Sequence, residues 1–394
     1  MKELSKDLLM RELDELAKFE PNGFPFVSLY LNAQPDQHGR DNFQPFVRKE
    51  FTIRAKNFPV DSIERASFER NAAQIEKYLE SELRASANGL AIFACAGADD
   101  YFKAIQLDAP VETNELHVSD RPHLYPLARL IDQHPRYVAL VADTDTARLF
   151  VFDLGHIKRR NELDNRGGIF APDGEHTHLR YQRRLEKHNL RHARQTVEML
   201  ERAVREESAE HIVLAGDEVI IPLLRKQLPA YLAEKVVDVL RLGIRTPEHE
   251  VLRATMNALR EDNIQSDAEK ARDLLDENDD AGLAVVGLDK TMGALARGQV
   301  SELVLSARIE EIRFDEGSRS EIGVSPDERA PIVSNQVDRA DKPTPEMVVD
   351  ALISLARSTG ASVTFIEDAA LLSGVGGVGA FLRYRIYSGR EEGG

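Results

Sequence analysis

The chain has 394 residues, of which 42% are hydrophobic, and its formal net charge at pH 7 is -16. A chain of this length is expected to fold as two or three domains, and its apolar content is sufficient for packed cores. No apolar run reaches the roughly 20 residues that a membrane span needs, and the one cysteine, Cys95, excludes an internal disulfide framework and a cysteine-based zinc module.

Residues 1–134 are predicted to form a mixed α+β domain. They open with a charged amphipathic helix that ends at the breaker of residues 21–23 and lacks the apolar core of a signal peptide, so we expect a cytoplasmic location. The apolar runs FPFVSLYLN and NGLAIFACAG predict buried strands, and YFKAIQLD predicts a third strand. Helices are predicted over residues 43–56 and 62–86.

Residues 135–279 are predicted to form an α/β domain with a largely parallel sheet. Two strands in YVALVADTDTARLFVFDLG, joined by a polar turn, precede a helix from Tyr181 to Glu206 and the strand HIVLAG. Apolar residues recur along that helix at steps of three and four residues and predict a core-facing stripe of Leu190, Ala193, Val197, Leu200 and Val204. Helices over residues 219–227 and 246–279 complete the domain.

Residues 280–394 are predicted to form an α/β sandwich. The run AGLAVVGLDKTMGALARGQVSELVLS predicts a strand, a helix and a strand in a compact βαβ unit. A polar surface loop is expected over residues 315–345, then a helix over 345–358 and the strand ASVTFIE. The closing SGVGGVGAFLRYRIY places a strand after its glycines, so we interpret these as a tight turn rather than a phosphate-binding loop, which needs a following helix.

Residues 156–194 reverse the charge of the chain, with ten Lys or Arg against five Asp or Glu, and five of the eleven histidines. Positive charge beside a flexible Gly-Gly pair predicts contact with an anion, foremost nucleic-acid phosphate, although a mobile loop with incidental charge is the alternative. The candidate residues of the loop are Arg166, Gly167, Gly168, Ile169, His176, His178 and Arg180. Those of the following helix are Arg183, Arg184, Lys187, His188, Arg191 and Arg194.

Metal and enzyme chemistry are not favoured by the sequence. His188 and His192 are one helical turn apart, a spacing that suits zinc, but no carboxylate or thiolate partner stands out and arginines crowd the same surface. We therefore expect no metal site, no cofactor and no catalytic residue. Asp143 and Asp145 are interpreted as turn residues rather than as nuclease carboxylates, because metal nuclease chemistry needs further carboxylates from other strands.

Taken together, these segments resemble the archaeal and eukaryotic class-I release factor and Pelota superfamily. The similarity follows the order of the chain, from FVSLYLN through the RGG before RYQRRLEKHNLRHARQTVEML to GASVTFIEDAALLSGVGGVGAFLRYR, and the last match is the most specific. The chain is identified as a member of the bacterial branch of the superfamily, which includes a ribosome-hibernation factor.

The resemblance implies three domains: an N-terminal domain that faces the decoding centre, an RNase H-like central domain and a C-terminal α/β domain similar to kink-turn-binding ribosomal proteins. It implies a ligand of the ribosomal A site whose loop contacts ribosomal RNA near the peptidyl-transferase centre. A translational GTPase is a further candidate partner, and no membrane is involved.

Two departures from the family pattern bear on activity. The family has a catalytic Gln after the Gly-Gly pair, where this chain has Ile169, and IRAKNFPVDSIER lacks the Asn-Ile-Lys-Ser motif of stop-codon decoding. We therefore expect a factor for hibernation or rescue, without stop-codon decoding or standard release catalysis. Two alternatives stay open: peptidyl-tRNA ester hydrolysis on stalled ribosomes, with His176, His178 or Gln182 orienting water, and RNA binding off the ribosome.

Overall fold

The computed structural model describes residues 5–20, 22–35, 43–165, 178–278, 282–313 and 344–384. Within these ranges the chain forms ten α-helices and three β-sheets, which confirms the predicted α/β class. The fold divides into two compact units, one made of Met1–Gln133 together with Asp267–Gly394 and the other of His134–Ser266. The domain boundaries at residues 134 and 279 stay predictions.

The first part of the larger unit contains an antiparallel four-stranded sheet in the order β3-β2-β1-β4. Its strands are β1 (Phe26–Asn32), β2 (Gly89–Cys95), β3 (Tyr101–Leu107) and β4 (Glu115–Ser119). Its helices are α1 (Lys6–Ala17), α2 (Gln44–Ala55), α3 (Ile63–Ser81) and α4 (Tyr125–Gln133). The predicted strands β1 to β3 are confirmed, whereas the helix predicted over 62–86 ends earlier, at Ser81, and β4 and α4 were not predicted.

Burial on both faces explains why β1 reads as a continuous apolar run. Successive side chains of a strand point to opposite faces, and on one face Val27, Leu29 and Leu31 pack into a core with α2 and α3. On the other face Tyr30 is also buried, and its hydroxyl donates a 2.6 Å hydrogen bond to the carbonyl oxygen of His123. This strand, one of the two central strands of the sheet, is therefore covered by protein on both sides.

The smaller unit is built on a five-stranded sheet in the order β7-β6-β5-β8-β9. Its strands are β5 (Tyr137–Ala142), β6 (Thr146–Asp153), β7 (His156–Asp164), β8 (His211–Gly216) and β9 (Val236–Leu240). Its helices are α5 (His178–Glu207), α6 (Ile220–Gln227), α7 (Ala230–Ala233) and the first part of α8 (Glu248–Asp276), which continues into the larger unit.

The expectation of a largely parallel sheet is wrong for half of this sheet. β5 pairs with β8 and β8 with β9 in parallel, but β6 pairs antiparallel with both β5 and β7. The physical reason is the pair of short connections around β6, which are hairpin turns and return the chain antiparallel. β7 escaped prediction because its charged sequence HIKRRNELD carries no apolar run.

The second part of the larger unit contains a four-stranded sheet in the order β10-β13-β11-β12. Its elements are β10 (Ala284–Val286), α9 (Leu288–Ala296), β11 (Val300–Ser306), α10 (Pro345–Ser358), β12 (Ser362–Ile366) and β13 (Val378–Leu382). The predicted strand, helix and strand at its start are present, but β13 lies between β10 and β11, so the βαβ unit is split. The helix predicted over 345–358 is confirmed as α10.

Polar contacts join the two parts of the larger unit along α10. Asp350 accepts hydrogen bonds at Oδ1 from the backbone N–H groups of Leu124 (2.8 Å) and Tyr125 (3.1 Å), at the start of α4. Its Oδ2 lies 2.7 Å from Nδ1 of His123. One helical turn later, the hydroxyl of Ser354 donates to the carbonyl oxygen of Ala17 at 2.6 Å. These bonds fix α10 against α1 and α4.

Among the helices of the described ranges, none combines the length and the apolar character that a membrane crossing requires.

The glycine motif before β13 forms a tight turn, as predicted. Gly376 and Gly377 have φ angles of +77° and +76°, the left-handed region that side chains disfavour. A Cβ on Gly377 would also lie 3.3 Å from the carbonyl oxygen of Glu311.

We expect Gly377→Ala to lower the free energy of unfolding by about 1–2 kcal/mol, measured by denaturant titration. Gly374→Ala is the matched control, since a Cβ there has no atom within 4 Å and no positive φ to strain; equal losses would contradict this account.

A half-buried carboxylate at the end of α4 should make stability pH-dependent. Burial raises the pKa of Asp132 from 3.8 to about 7, although its Oδ2 accepts a 3.3 Å hydrogen bond from the N–H of Phe365. The folded state thus binds this proton more tightly than the unfolded state, so stability falls as pH rises from about 4 to about 7. We expect Asp132→Asn, which keeps an acceptor oxygen, to flatten this fall in melting temperature. Asp273→Asn, at an exposed position of α8, should leave it unchanged.

Candidate nucleic-acid interface

The candidate interface is built on α5, which begins three residues before the predicted start at Tyr181. Its second half packs on the sheet of the smaller unit through Ala193, Val197, Leu200 and Val204, and this part of the predicted apolar stripe is confirmed. Leu190 is a correction, because its side chain is 45% exposed. At that level of the helix, Asn189 and His192 occupy the buried face instead.

We define the basic half of α5 as residues 182–194. Its five positively charged side chains are all exposed: Arg183, Arg184, Lys187, Arg191 and Arg194. Their helical spacing places them off the face that packs on the sheet, as the sequence predicted. Only one acidic residue, Glu186, belongs to this segment.

Ion pairing separates the basic half from the rest of the helix. Among the described residues, no carboxylate lies at ion-pairing distance from Arg183, Arg184, Lys187 or Arg191, and the Nε of Arg194 lies 3.9 Å from Oε1 of Glu198. In the second half, carboxylates are matched with cations: Arg159 with Glu206 at 2.5 Å, Lys158 with Glu207 at 2.7 Å and Arg205 with Glu201 at 2.8 Å. Positive potential is therefore concentrated on the basic half.

Asn165, the residue that precedes Arg166, is anchored at three points. Its N–H donates to the carbonyl oxygen of Asp145 at 2.8 Å. Its side-chain amide donates to Oε1 of Gln195 at 2.9 Å and lies 2.8 Å from Nδ1 of His192. The chain thus enters the predicted loop from a fixed position beside α5.

The turn between β5 and β6 also helps to hold α5 in place. Oδ1 of Asp143 accepts hydrogen bonds from the N–H groups of Asp145 (2.9 Å) and Thr146 (2.6 Å), which confirms its role as a turn residue. The Asp145 carboxylate has a second role, because its Oδ1 lies 3.0 Å from Nε2 of His188. This pair fixes the basic half of α5 to the sheet.

His192 is neutral in this environment. Burial lowers its pKa below the ordinary 6.5, so at pH 7 its Nδ1 can accept the proton that the Asn165 amide donates. The hydrogen-bond network thereby assigns the proton of the neutral ring to Nε2. A protonated His192 would instead present a donor to the Asn165 amide and break this contact.

The structure brings only part of the predicted set together. Arg166, Gly167, Gly168, Ile169 and His176 lie outside the described residues. The backbone of His178 and Arg180 lies in the first turn of α5, and their side chains are outside the description. His188 is half-buried against Asp145, so it anchors the helix rather than standing free beside the arginines.

Sequence reasoning named Asp145 only as a turn residue, without its contact with His188, and missed the anchoring residues Asn165 and Gln195. An asparagine directly before an Arg-Gly-Gly sequence was the one available signal, because asparagine is common in turns; the strand before it, β7, was not itself predicted. The partners of Asn165 on α5 are 27 and 30 residues away, and no local pattern indicates them.

The titration of His192 gives a test of this anchor. Because its folded-state pKa lies below 6.5, its contribution to stability is full above pH 6.5 and is lost as pH falls below that value. We expect His192→Gln, whose amide oxygen can accept from Asn165 without titrating, to reduce the loss of melting temperature between pH 7.5 and 5.5. His249→Gln, at an exposed site, is the control and should behave as the parent; a parent-like His192→Gln profile would contradict the assignment.

Two family models match the chain. One, described as bacterial archaeo-eukaryotic release factor family 10, covers residues 122–260, and the other, eRF1 domain 3, covers residues 265–386. The chain is also similar to eukaryotic peptide chain release factor subunit 1 of Saccharomyces cerevisiae, with 30% identity over 119 residues, which span 27% of this chain and 27% of that protein. The match therefore reaches little more than a quarter of the yeast protein's length.

Solved structures of archaeal proteins align along most of the chain. The translation termination factor aRF1 shares 17% identity with a TM-score of 0.27, over 97% of this chain and 99% of its own. Ribosome-bound archaeal Pelota, in a model with ABCE1, shares 14% identity with a TM-score of 0.43, over 98% of this chain and 96% of its own.

Proposed function

We propose that this chain, which belongs to the bacterial branch of the release factor and Pelota superfamily, binds the ribosomal A site through the basic half of α5 and the loop before it. The single observation that carries the proposal is the row of exposed side chains that have no described carboxylate partner: Arg183, Arg184, Lys187 and Arg191. The two matching release-factor models support ribosomal RNA as the anion that this row meets.

The charge of the chain makes this row necessary for RNA binding. A net charge of -16 repels a phosphate backbone over most of the surface. Attraction must then come from a confined segment where cations are not already neutralised by neighbouring carboxylates, and the basic half of α5 meets that condition. Contacts of this kind release counterions from the nucleic acid, so binding should weaken steeply with salt.

We further propose a role in hibernation or rescue at a vacant or stalled A site, without standard release catalysis. The side chain of Ile169 has no hydrogen-bonding group with which to orient a water molecule at the peptidyl-tRNA ester. The stretch between α2 and α3 lacks the stop-codon motif. A translational GTPase is the proposed escort, and the loop would meet ribosomal RNA near the peptidyl-transferase centre.

Removal of the basic row should abolish most of the salt-sensitive affinity. We expect the quadruple variant R183A/R184A/K187A/R191A to bind vacant and stalled ribosomes much more weakly than the parent. We also expect it to lose about one unit of slope in log affinity against log salt for each phosphate contact removed. Co-sedimentation with ribosomes in sucrose gradients across a salt series measures both quantities.

A control variant that removes the same number of positive charges distinguishes the effect of local contacts on ribosome binding from the effect of net charge. K158A/R159A/R160A/R205A removes four cations of the same unit that are paired with carboxylates, and exposed ion pairs of this kind contribute little to stability. It should bind nearly as the parent does. Equal loss of binding in both variants, with both folded by thermal melting, would contradict a specific role for the basic half of α5.

The same preparations separate the proposal from its alternatives. Release of labelled peptide from stalled ribosomes, abolished by Gly168→Ala, would replace it with peptidyl-tRNA hydrolysis. Binding to isolated RNA hairpins as tight as binding to ribosomes would replace it with a function off the ribosome. Binding to vacant or stalled ribosomes alone, with no peptide released, is the expected result.

A further inference from the structure

Three potential metal ligands converge in the larger unit. Glu115 and His117 are two residues apart on β4 and therefore share one face of this edge strand. His123 lies in the connection between β4 and α4, with its ring centroid 3.7 Å from that of His117. One ligand atom from each of the three residues lies within 4.8 Å of the other two.

His123 is held rigidly by groups from two other elements. Its backbone N–H donates to the hydroxyl of Ser28 at 3.0 Å, and its carbonyl oxygen accepts from the hydroxyl of Tyr30 at 2.6 Å, both on β1. Its side chain is buried, with only 2% of the residue exposed, and Nδ1 lies 2.7 Å from the Asp350 carboxylate. In the described part of the chain no residue bonds its Nε2.

We propose that Glu115, His117 and His123 bind a zinc ion, with Asp350 as the carboxylate that orients His123. Two imidazoles and one carboxylate are a donor set that zinc takes in proteins, with a fourth position left to water. A histidine that ligates a metal through one ring nitrogen usually donates its other N–H to a carboxylate or carbonyl. The Asp350–His123 contact supplies that arrangement.

The geometry requires the cluster to close and the ring of His117 to turn, because the two imidazoles now lie nearly face to face with an interplanar angle of 31°. Ligand atoms at about 2.0–2.1 Å from a tetrahedral zinc are about 3.4 Å apart, so the widest pair here must approach by about 1.4 Å at most. The adjustment falls on Glu115 and His117, whose side chains are 39% and 33% exposed and whose nearest atoms, Oε2 and Nε2, are 3.7 Å apart. His123 is the fixed member, and the two residues of the edge strand rotate towards it.

The electrostatics of the cluster favour a cation. The carboxylates of Asp350 and Glu115 lie beside the two rings, 2.7 Å from Nδ1 of His123 and 3.7 Å from Nε2 of His117. Their negative potential stabilises a divalent cation held between the two histidines, whose ligating imidazoles are neutral.

A bound zinc would connect elements that are distant in the sequence. It would link the edge strand β4 to the segment that leads into α4 and, through Asp350, to α10. The inference concerns residues of the larger unit and stands independently of ribosome binding.

Zinc uptake by the full chain tests the proposal. After treatment with a chelator and its removal, the protein should take up one more equivalent of Zn²⁺ than His117→Ala, measured by equilibrium dialysis with elemental analysis. Co²⁺ in place of zinc should give the intense visible absorption of a tetrahedral site in the parent only. His249→Ala is the matched control, because this exposed histidine has a carboxylate neighbour, Glu250, at 4.0 Å but forms no three-ligand group within the described residues.

The carboxylate of Asp350 provides a second test, in which zinc binding should weaken rather than disappear. Asp350→Asn keeps an acceptor oxygen for the N–H groups at the start of α4 and should weaken zinc binding by about 10–100-fold without abolishing it. Thermal melting of each metal-free variant verifies that the fold persists. Equal zinc uptake by the parent and His117→Ala, or no uptake by the folded parent, would overturn the proposal, since zinc held by histidines elsewhere is common to both proteins.

Discussion

The larger unit depends on the carboxylate of Asp350. This one side chain caps the start of α4 and orients His123, and its partners precede it in the sequence by 225 to 227 residues. The first N–H groups of a helix have no partner within the helix, so a buried helix start needs an acceptor from elsewhere. Because Asp350 supplies it from α10, the packing of α10 and the position of His123 are consequences of the same contact. Neither part of the unit completes this arrangement without the other.

In the smaller unit the main constraint is electrostatic, because an otherwise acidic protein exposes positive charge on α5. Acidic side chains along the second half of α5 are matched by cations from β7 and from the helix itself. The first half has no such ion pairs within the described residues. It is held in place by the contact of His188 with Asp145 and by the hydrogen bond of Asn165 to Gln195. Asp145 and Asn165 thereby fix the helix while leaving its arginines to solvent. Packing contacts and exposed positive charge are thus divided between two faces of one helix.

The sequence predicted what short-range patterns encode and missed what depends on distant partners. Strands buried on both faces, such as β1 and β8, are continuous apolar runs, and α10 has a clear start and end, so all three were predicted. β4, β7 and β9 are half-exposed and mix charged with apolar residues, so a search for continuous apolar runs does not detect them. The cluster around His123 was missed for a related reason. Glu115 and His117 alone do not indicate a metal site, and nothing in the sequence around Asp350 indicates that it contacts His123. Leu190 was misassigned because periodicity alone does not reveal that Asn189 and His192 take its place.

The position of β13 has a consequence for synthesis of the chain. β13 fills the gap between β10 and β11, so these earlier strands have no partner in that gap until the ribosome has translated through Leu382. The segment that ends at Gln133 likewise waits for α10. At about 5–20 residues per second, the interval between Gln133 and the end of α10 at Ser358 lasts roughly 10–45 s. Over that time the start of α4 is uncapped, and β10 and β11 lack their shared partner from their own synthesis until that of β13, whereas the smaller unit is contiguous and can fold first. Vectorial translation therefore sets the order in which the two units are completed.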